Sequence, residues 1–271
     1  MSLFCHIKCS KIKIDKFVSK DIIFRIQQKG DEMKLIKRIL IIILLIIIFI
    51  VAGFVYKGHE LYKQALEKIS ISDKVAEIKS DENYTKLEDM SEFYKDAVIA
   101  VEDRRFYEHG AIDPIALARA VYSNIKAKEL REGGSTITQQ LAKNIYFTQE
   151  KSALRKIAEI FMAYDLEKKL NKDTILELYL NTSYFGDGYY CVAEASRGYY
   201  KKEPKDMNRN EASMLAGIPN APSAYCPTKH LDLAKKRQNQ VLDKMVRYEF
   251  ITAEEKEEIL NESNAVEDNK D

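Results

Sequence analysis

Asp113-Pro114-Ile115-Ala116-Leu117-Ala118-Arg119-Ala120-Val121-Tyr122-Ser123-Asn124-Ile125 reads as a helix from its first residue. Asp113 can accept the free N–H groups of a first turn, and Pro114, which has no N–H, is pre-set for the first helical position. Ile115, Ala118, Val121, Tyr122 and Ile125 then recur at helical spacing. The pattern extends outward on both sides. Upstream, Ser91 can cap a helix bearing Phe93, Ala97, Ala100 and Val101 on one face and ending near Glu102-Asp103. Downstream, helices fit Thr136 to Asn144, Leu154 to Lys169, Thr174 to Asn181 and Asn210 to Ala216, the last stopped by Gly217 with Pro219 beyond. No convincing run of alternating strand residues interrupts this series, so the expected fold is mainly α.

The chain has 271 residues, 46% of them hydrophobic, enough for one soluble domain with its own core. A formal net charge of +1 excludes a nucleic-acid binder that works by blanket phosphate neutralisation. Any anionic ligand must meet local basic clusters. Ile39 to Tyr56 is uncharged and long enough to cross roughly 30 Å of hydrocarbon. It has no polar face, which a soluble core helix would need, and no small-x-small cleavage site before Lys57. Residues 39–56 are therefore expected to be a retained transmembrane helix. The basic residues of 1–38, Lys34, Lys37 and Arg38 among them, predict a cytoplasmic N-terminus and an extracytoplasmic remainder. Met33 is a candidate first residue, because Lys29-Gly30-Asp31-Glu32-Met33 can be encoded by AAA GGA GAT GAA ATG, which resembles a bacterial ribosome-binding site ahead of a start codon. Residues 57–86 read as a charged helical stalk, 87–251 as the functional domain and 252–271 as a polar tail.

Cys5, Cys9, Cys191 and Cys226 lack the second ligand pair of a structural zinc site. Cys191 and Cys226 are the only pair that could bridge outside a cell; two free thiols is the expectation.

Glu102 and Glu159 flank Gly133-Gly134-Ser135-Thr136-Ile137-Thr138-Gln139-Gln140. A pair of carboxylates is the minimum apparatus for chemistry at an anomeric carbon. The Asp103 charge and a helix C-terminus disfavour ionisation of Glu102, whereas Arg104 and Arg105 favour it, and the sequence leaves that balance open. Taken alone, Glu-Asp-Arg-Arg is usually a solvated helix end. The Gly-Gly-Ser run enters a helix N-terminus, where free N–H groups attract phosphate oxygens, and Thr136, Thr138, Gln139, Gln140, Lys143 and Asn144 add donors. Arg155, Lys156 and Glu159 share a helix face, which by itself would be a surface ion pair.

Together these segments carry a resemblance. Glu102-Asp-Arg-Arg-Phe106-Tyr-Glu-His109, Gly133 to Asn144, Arg155-Lys-Ile-Ala-Glu159, Lys172 to Asn181 and Glu211 to Ser223 resemble, in order, the motifs of bacterial peptidoglycan glycosyltransferases, the transglycosylase unit also found in class A penicillin-binding proteins. The resemblance covers roughly Leu87 to Ile251. It departs at His109-Gly110-Ala111, where the glycine has moved by one place, and at Tyr190-Cys191-Val192, where the family commonly has glycine before the valine.

The resemblance implies a lysozyme-like helical domain that polymerises lipid II with inversion, Glu102 being the base for the acceptor hydroxyl. It places Glu159 at the donor pyrophosphate, where it is a candidate ligand for a divalent cation, Mg2+ or Mn2+, with no organic cofactor. It gives substrate-binding roles to Asp103, Phe106, His109, Arg119, Ser135, Thr138, Gln139, Gln140, Lys143, Asn144, Lys151, Arg155 and Lys156. Implied partners are lipid II, the growing glycan strand, membrane lipid and the wall-synthesis machinery, and not nucleic acid. Tyr122, Ile145, Tyr146 and Phe147 are candidates for lipid contact, with an equally good reading as core. The rival readings are a hydrolase on the same fold and a noncatalytic membrane-anchored scaffold. Ser10-Lys-Ile-Lys13 and Ser123-Asn-Ile-Lys126 match Ser-x-x-Lys, but no Lys-Thr-Gly follows, so a single activity without transpeptidation is expected.

Overall fold

The computed structural model describes residues 3–128, 133–148 and 152–262, with side chains from Met33 onward. The chain forms two compact units, Met1–Tyr56 and Lys57–Asp271. Helix α1 (Leu3–Lys68) supplies the first unit and opens the second. Every residue from Ile39 to Tyr56 is exposed, and the stretch within Met33–Lys68 reaches a mean hydropathy of 3.4 with none of it buried. Such a surface suits hydrocarbon, not water.

The second unit is helical throughout its regular structure, as the spacing predicts. It contains α2 (Ile71–Lys79), α3 (Glu92–Glu102), α4 (Pro114–Ala127), α5 (Ile137–Tyr146), α6 (Ala153–Lys169), α7 (Lys172–Leu180), α8 (Val192–Tyr200), α9 (Arg209–Gly217), α10 (Leu231–Arg247) and α11 (Ala253–Asn261). Among the described residues there is no strand. Two groups of helices build the core. Helix α3 packs on α9 and α10, burying Tyr94, Ala97, Val98 and Val101 with Leu215, Val241 and Met245; α5 packs on α6 and α7, burying Leu141, Met162, Leu166 and Leu178. Each large apolar side chain so buried contributes about 1.5–3 kcal/mol.

Side-chain caps fix where the helices begin. Asp113 accepts the N–H groups of Ile115 and Ala116, Thr136 that of Gln139, and Ser152 that of Arg155. Ser91 occupies the N-cap of α3 without a side-chain cap bond. Asn208 with Glu211 and Thr252 with Glu255 form capping boxes. The second box starts α11, whose fully buried Ile259 folds part of the polar C-terminal stretch onto the domain. Cys191 and Cys226 are free buried thiols: Cys191 Sγ caps α8, and Cys226 Sγ lies 3.1 Å from Thr228 Oγ1.

Residues 57–86 are part of the packed body. His59 and Tyr62 stack with Phe161 of α6 at centroid distances of 5.0 and 5.8 Å, and Tyr62 donates its hydroxyl proton to Asp165. At Gly58 an added Cβ would lie 2.5 Å from Ile157 Cγ2 and 3.2 Å from the Leu154 carbonyl oxygen. A β-branched side chain and a backbone oxygen cannot both withdraw. Gly58→Ala is therefore expected to destabilise the domain by about 1–3 kcal/mol through overpacking, lowering the thermal midpoint by about 2–4 °C per kcal/mol. An unchanged melting curve would show that this contact is loose.

Helix α4 breaks the pattern of burial. Its spacing is helical, yet Ala120 is its one buried residue, while Ile115, Val121, Tyr122 and Ile125 are 57%, 51%, 68% and 73% exposed. Ile145, Tyr146 and Phe147, by contrast, pack against the core.

Candidate active site

Glu102 ends α3 with its two carboxylate oxygens in different circumstances. Oε2 accepts a 2.7 Å hydrogen bond from Gln140 Nε2 on α5. Gln140 Oε1 in turn accepts from the Tyr179 hydroxyl of α7 at 3.2 Å. Burial, then the charge of Glu102, raises the Tyr179 pKa well above its ordinary value, so this hydroxyl remains a donor and fixes the Gln140 amide with its NH2 toward Glu102. Oε1 is buried and forms no hydrogen bond. Arg237 Nη2 lies 3.9 Å from it.

Asp103 points the other way and ties two elements together. It accepts from the Ile137 N–H at the start of α5 (3.0 Å) and from His109 Nε2 (2.7 Å), while His109 Nδ1 lies 2.7 Å from the Gly110 carbonyl oxygen. Both ring nitrogens thus face acceptors, as an imidazolium requires. Burial lowers the His109 pKa, but the bond to Asp103 and its charge outweigh that and leave it raised. Arg105 donates to Asp113 from Nε (3.1 Å) and Nη2 (2.6 Å). Burial works against the Asp113 carboxylate, yet Arg105 and the Ala116 N–H bring its pKa down to about 2. Arg104 lies over the Tyr248 ring at 4.6 Å. The arginines adjacent to Glu102 in sequence are therefore engaged elsewhere. Phe106 is fully buried beneath the Lys172 ammonium at 4.4 Å.

On the other side, α5 and α6 bring Lys143, Arg155 and Lys156 together around Glu159. Lys156 Nζ donates to Ser135 Oγ (2.8 Å) and Gln139 Oε1 (3.0 Å) and lies 3.1 Å from Glu159 Oε2. Arg155 Nε is 2.8 Å from Glu159 Oε1, off the hydrogen-bond line, and its Nη1 donates to the Thr148 carbonyl oxygen at 3.1 Å. Lys143 is half-buried; burial lowers its pKa, Glu159 raises it, Arg155 lowers it and Glu102 raises it again. Among the described residues Glu159, itself 2% exposed, pairs with Arg155 and Lys156 and lies within charge-charge reach of Lys143.

The remaining residues with expected substrate roles are spread more widely. Thr138 is buried and donates to Glu167 Oε1 at 2.5 Å, an oxygen that Lys172 also reaches at 2.7 Å. Arg119 and Asn144 are half-buried on α4 and α5. Lys151 lies outside the described residues. Neither Tyr179 nor Arg237 carries a site signal in the sequence: Tyr179 sits in the apolar run before Asn181, and the neighbours Lys235 and Lys236 make Arg237 read as part of an ordinary solvated face.

The transglycosylase family model matches residues 71–246. The chain belongs to the transglycosylase family. Its mainly α domain is accordingly of the lysozyme-like kind. Penicillin-binding protein 1A of Neisseria lactamica is 42% identical over 206 residues, covering 75% of this chain and 26% of the relative. Penicillin-binding protein 1F of Bacillus subtilis (strain 168) is 39% identical over 243 residues, covering 86% and 34%. The crystal structure of penicillin-binding protein 1A from Haemophilus influenzae aligns at 31% identity and a TM-score of 0.33, over 47% of this chain and 16% of that one. The transglycosylase chain thus spans about a third or less of the curated relatives it matches.

Among the described residues of this transglycosylase, two places bear on metal binding. Asp103, His109 and Asp113 bring possible ligand atoms within 4.8 Å of one another. Their acceptors are already taken by the Ile137 N–H, the His109 ring, the Arg105 guanidinium and the first turn of α4. A cation there would have to displace Arg105, so the donor set fits a structural ion-pair network better. Glu159 offers one carboxylate facing two cations, which suits a divalent ion only in company with phosphate oxygens.

Proposed function

We propose that this transglycosylase polymerises lipid II into β-1,4-linked glycan strands of peptidoglycan, with inversion and release of undecaprenyl pyrophosphate. The observation that carries the reading is the asymmetric Glu102 carboxylate, one oxygen fixed by Gln140 and the other without a hydrogen bond, in one domain with the Lys143, Arg155 and Lys156 cluster. Glu102 Oε1 takes the proton of the acceptor sugar's 4-hydroxyl. The deprotonated 4-hydroxyl oxygen bonds to the anomeric carbon of the growing chain as the bond from this carbon to the pyrophosphate oxygen breaks, and the electron pair leaves with the diphosphate. Lys143, Arg155 and Lys156 neutralise the charge that develops there, while Ser135 and Gln139 hold Lys156 in place. Mg2+ or Mn2+, when bound at Glu159 with the diphosphate, would add to the same neutralisation. The activity proposed for these residues is transfer alone. With labelled lipid II, one undecaprenyl pyrophosphate should appear for each disaccharide joined; shortening of preformed glycan without lipid release would favour the hydrolase reading.

We further infer a single-pass arrangement, with Lys34, Lys37 and Arg38 on the cytoplasmic side of the span and the catalytic domain outside. A polyprenyl-linked substrate stays in the bilayer, and the exposed apolar face of α4 suits the same surface. The 57–271 fragment is expected to sediment with lipid II-free vesicles, and Val121→Glu with Ile125→Glu to weaken this by about tenfold or more, since each buried aliphatic side chain contributes about 1.5–3 kcal/mol. Equal sedimentation of both proteins would remove α4 from the membrane.

A further inference from the structure

We propose that Tyr179 is a positioning residue for the transfer, locking the Gln140 amide so that it holds the Glu102 side chain, carried by one group of helices, in register with the cations carried by the other. The proposal rests on the reading of Glu102 as the base.

The base and the cations stand on different groups of helices. Glu102 ends α3, which packs on α9 and α10, whereas Lys143, Arg155 and Lys156 belong to α5 and α6, which pack on each other and on α7. Arg237 and Lys244 reach the end of α3 from α10, the first 3.9 Å from Glu102 Oε1 and the second donating to the Val101 carbonyl oxygen at 2.8 Å, so both act within the first group. Two hydrogen bonds join the end of α3 to α5. The Ile137 N–H donates to Asp103 Oδ2 at 3.0 Å and fixes the start of α5. Gln140 Nε2 donates to Glu102 Oε2 at 2.7 Å and fixes the side chain that reacts.

A glutamine amide supports that second bond only with its NH2 end toward the carboxylate. Tyr179 secures this from α7: its hydroxyl donates to Gln140 Oε1 at 3.2 Å and leaves Nε2 for Glu102. The reverse orientation would set Gln140 Oε1 against the Glu102 carboxylate, two acceptors with no proton between them. Without the tyrosine proton the amide keeps one anchor, and its last torsion is a broad, weakly held one. Tyr179 is itself firmly seated. Its ring lies in the core, and Ser183 Oγ donates to its backbone carbonyl oxygen at 2.7 Å. A misplacement of about 1 Å between reacting groups can cost roughly 10²-fold in rate, so an amide held at both ends across two groups of helices bears on kcat.

The test is a double-mutant cycle in lipid II polymerisation by the full chain: wild type, Tyr179→Phe, Gln140→Met and the two combined, each checked by thermal melting. Phenylalanine keeps the buried ring and removes the hydroxyl; methionine keeps the length of Gln140 and removes both of its bonds. Tyr179→Phe is expected to lower kcat by about 5–50-fold, with KM for lipid II within about threefold of wild type. Added to Gln140→Met it should lower kcat no further, because the hydroxyl acts through the amide. A purely structural role would instead multiply the two losses. A folded Tyr179→Phe with kcat within about twofold of wild type overturns the proposal, and so does a double variant that shows the product of the single losses. If Tyr179→Phe does not fold, a folded Gln140→Met with kcat within about twofold of wild type overturns it. Glu102→Gln separates the two failures. If it remains active the base reading falls, whereas an inactive Glu102→Gln beside an unimpaired Tyr179→Phe refutes only the role of Tyr179.

Discussion

Glu102→Gln is expected to fold normally and to lose glycan polymerisation by about 10²–10⁴-fold, the usual contribution of a positioned general base. The substitution keeps the shape and an amide oxygen that can still accept from Gln140 Nε2, so the chain from Tyr179 through Gln140 survives. What it removes is the proton-accepting capacity of Oε1, the oxygen that has no hydrogen bond in the resting site. The loss should appear in kcat more than in KM, because the proton moves only in the transition state. A matched thermal melt checks that the fold is unchanged. Activity within tenfold of wild type would mean that another group takes the proton.

Lys156→Met should lower the rate by about 10²-fold, the scale seen when one stabiliser of developing charge is removed. Methionine keeps the apolar stem and deletes an ammonium that meets Ser135, Gln139 and Glu159 at once. Glu159 is nearly inaccessible and retains Arg155 as a counter-ion, so the accompanying loss of stability should be about 1–3 kcal/mol. Steady-state kinetics on lipid II with a parallel melting curve measures both. A change of under threefold in rate would move the diphosphate away from the α6 cluster.

Much of this architecture is legible in the sequence, for reasons that can be named. Helix starts were readable wherever a short polar residue precedes an apolar period, as at Asp113 and Thr136. Helix α11 was harder, because it hides one buried residue, Ile259, among glutamates and lysine, and a single contact has no period. The face of α4 could not be assigned either, since a helix turned toward lipid and one turned toward a core show the same spacing. The site separated along similar lines. Contacts within one helix, such as those of Arg155, Lys156 and Glu159, follow from sequence spacing alone. The electrostatics of Glu102 did not, because adjacency suggested Arg104 and Arg105 while the folded chain commits these to Tyr248 and Asp113. Arg237, whose Nη2 lies 3.9 Å from Glu102 Oε1, is brought near only by the packing of α10 on α3. Gly217 carries the same lesson: it reads as a helix stop and is found to be the space in which an arginine lies.

The most direct measurement is polymerisation of purified lipid II by the wild-type chain, with and without moenomycin and with Glu102→Gln alongside, resolved on a gel. Glycan ladders that require Glu102 and vanish with the inhibitor are the predicted result. No ladder from a folded wild-type protein, or degradation of added glycan in its place, would contradict the account.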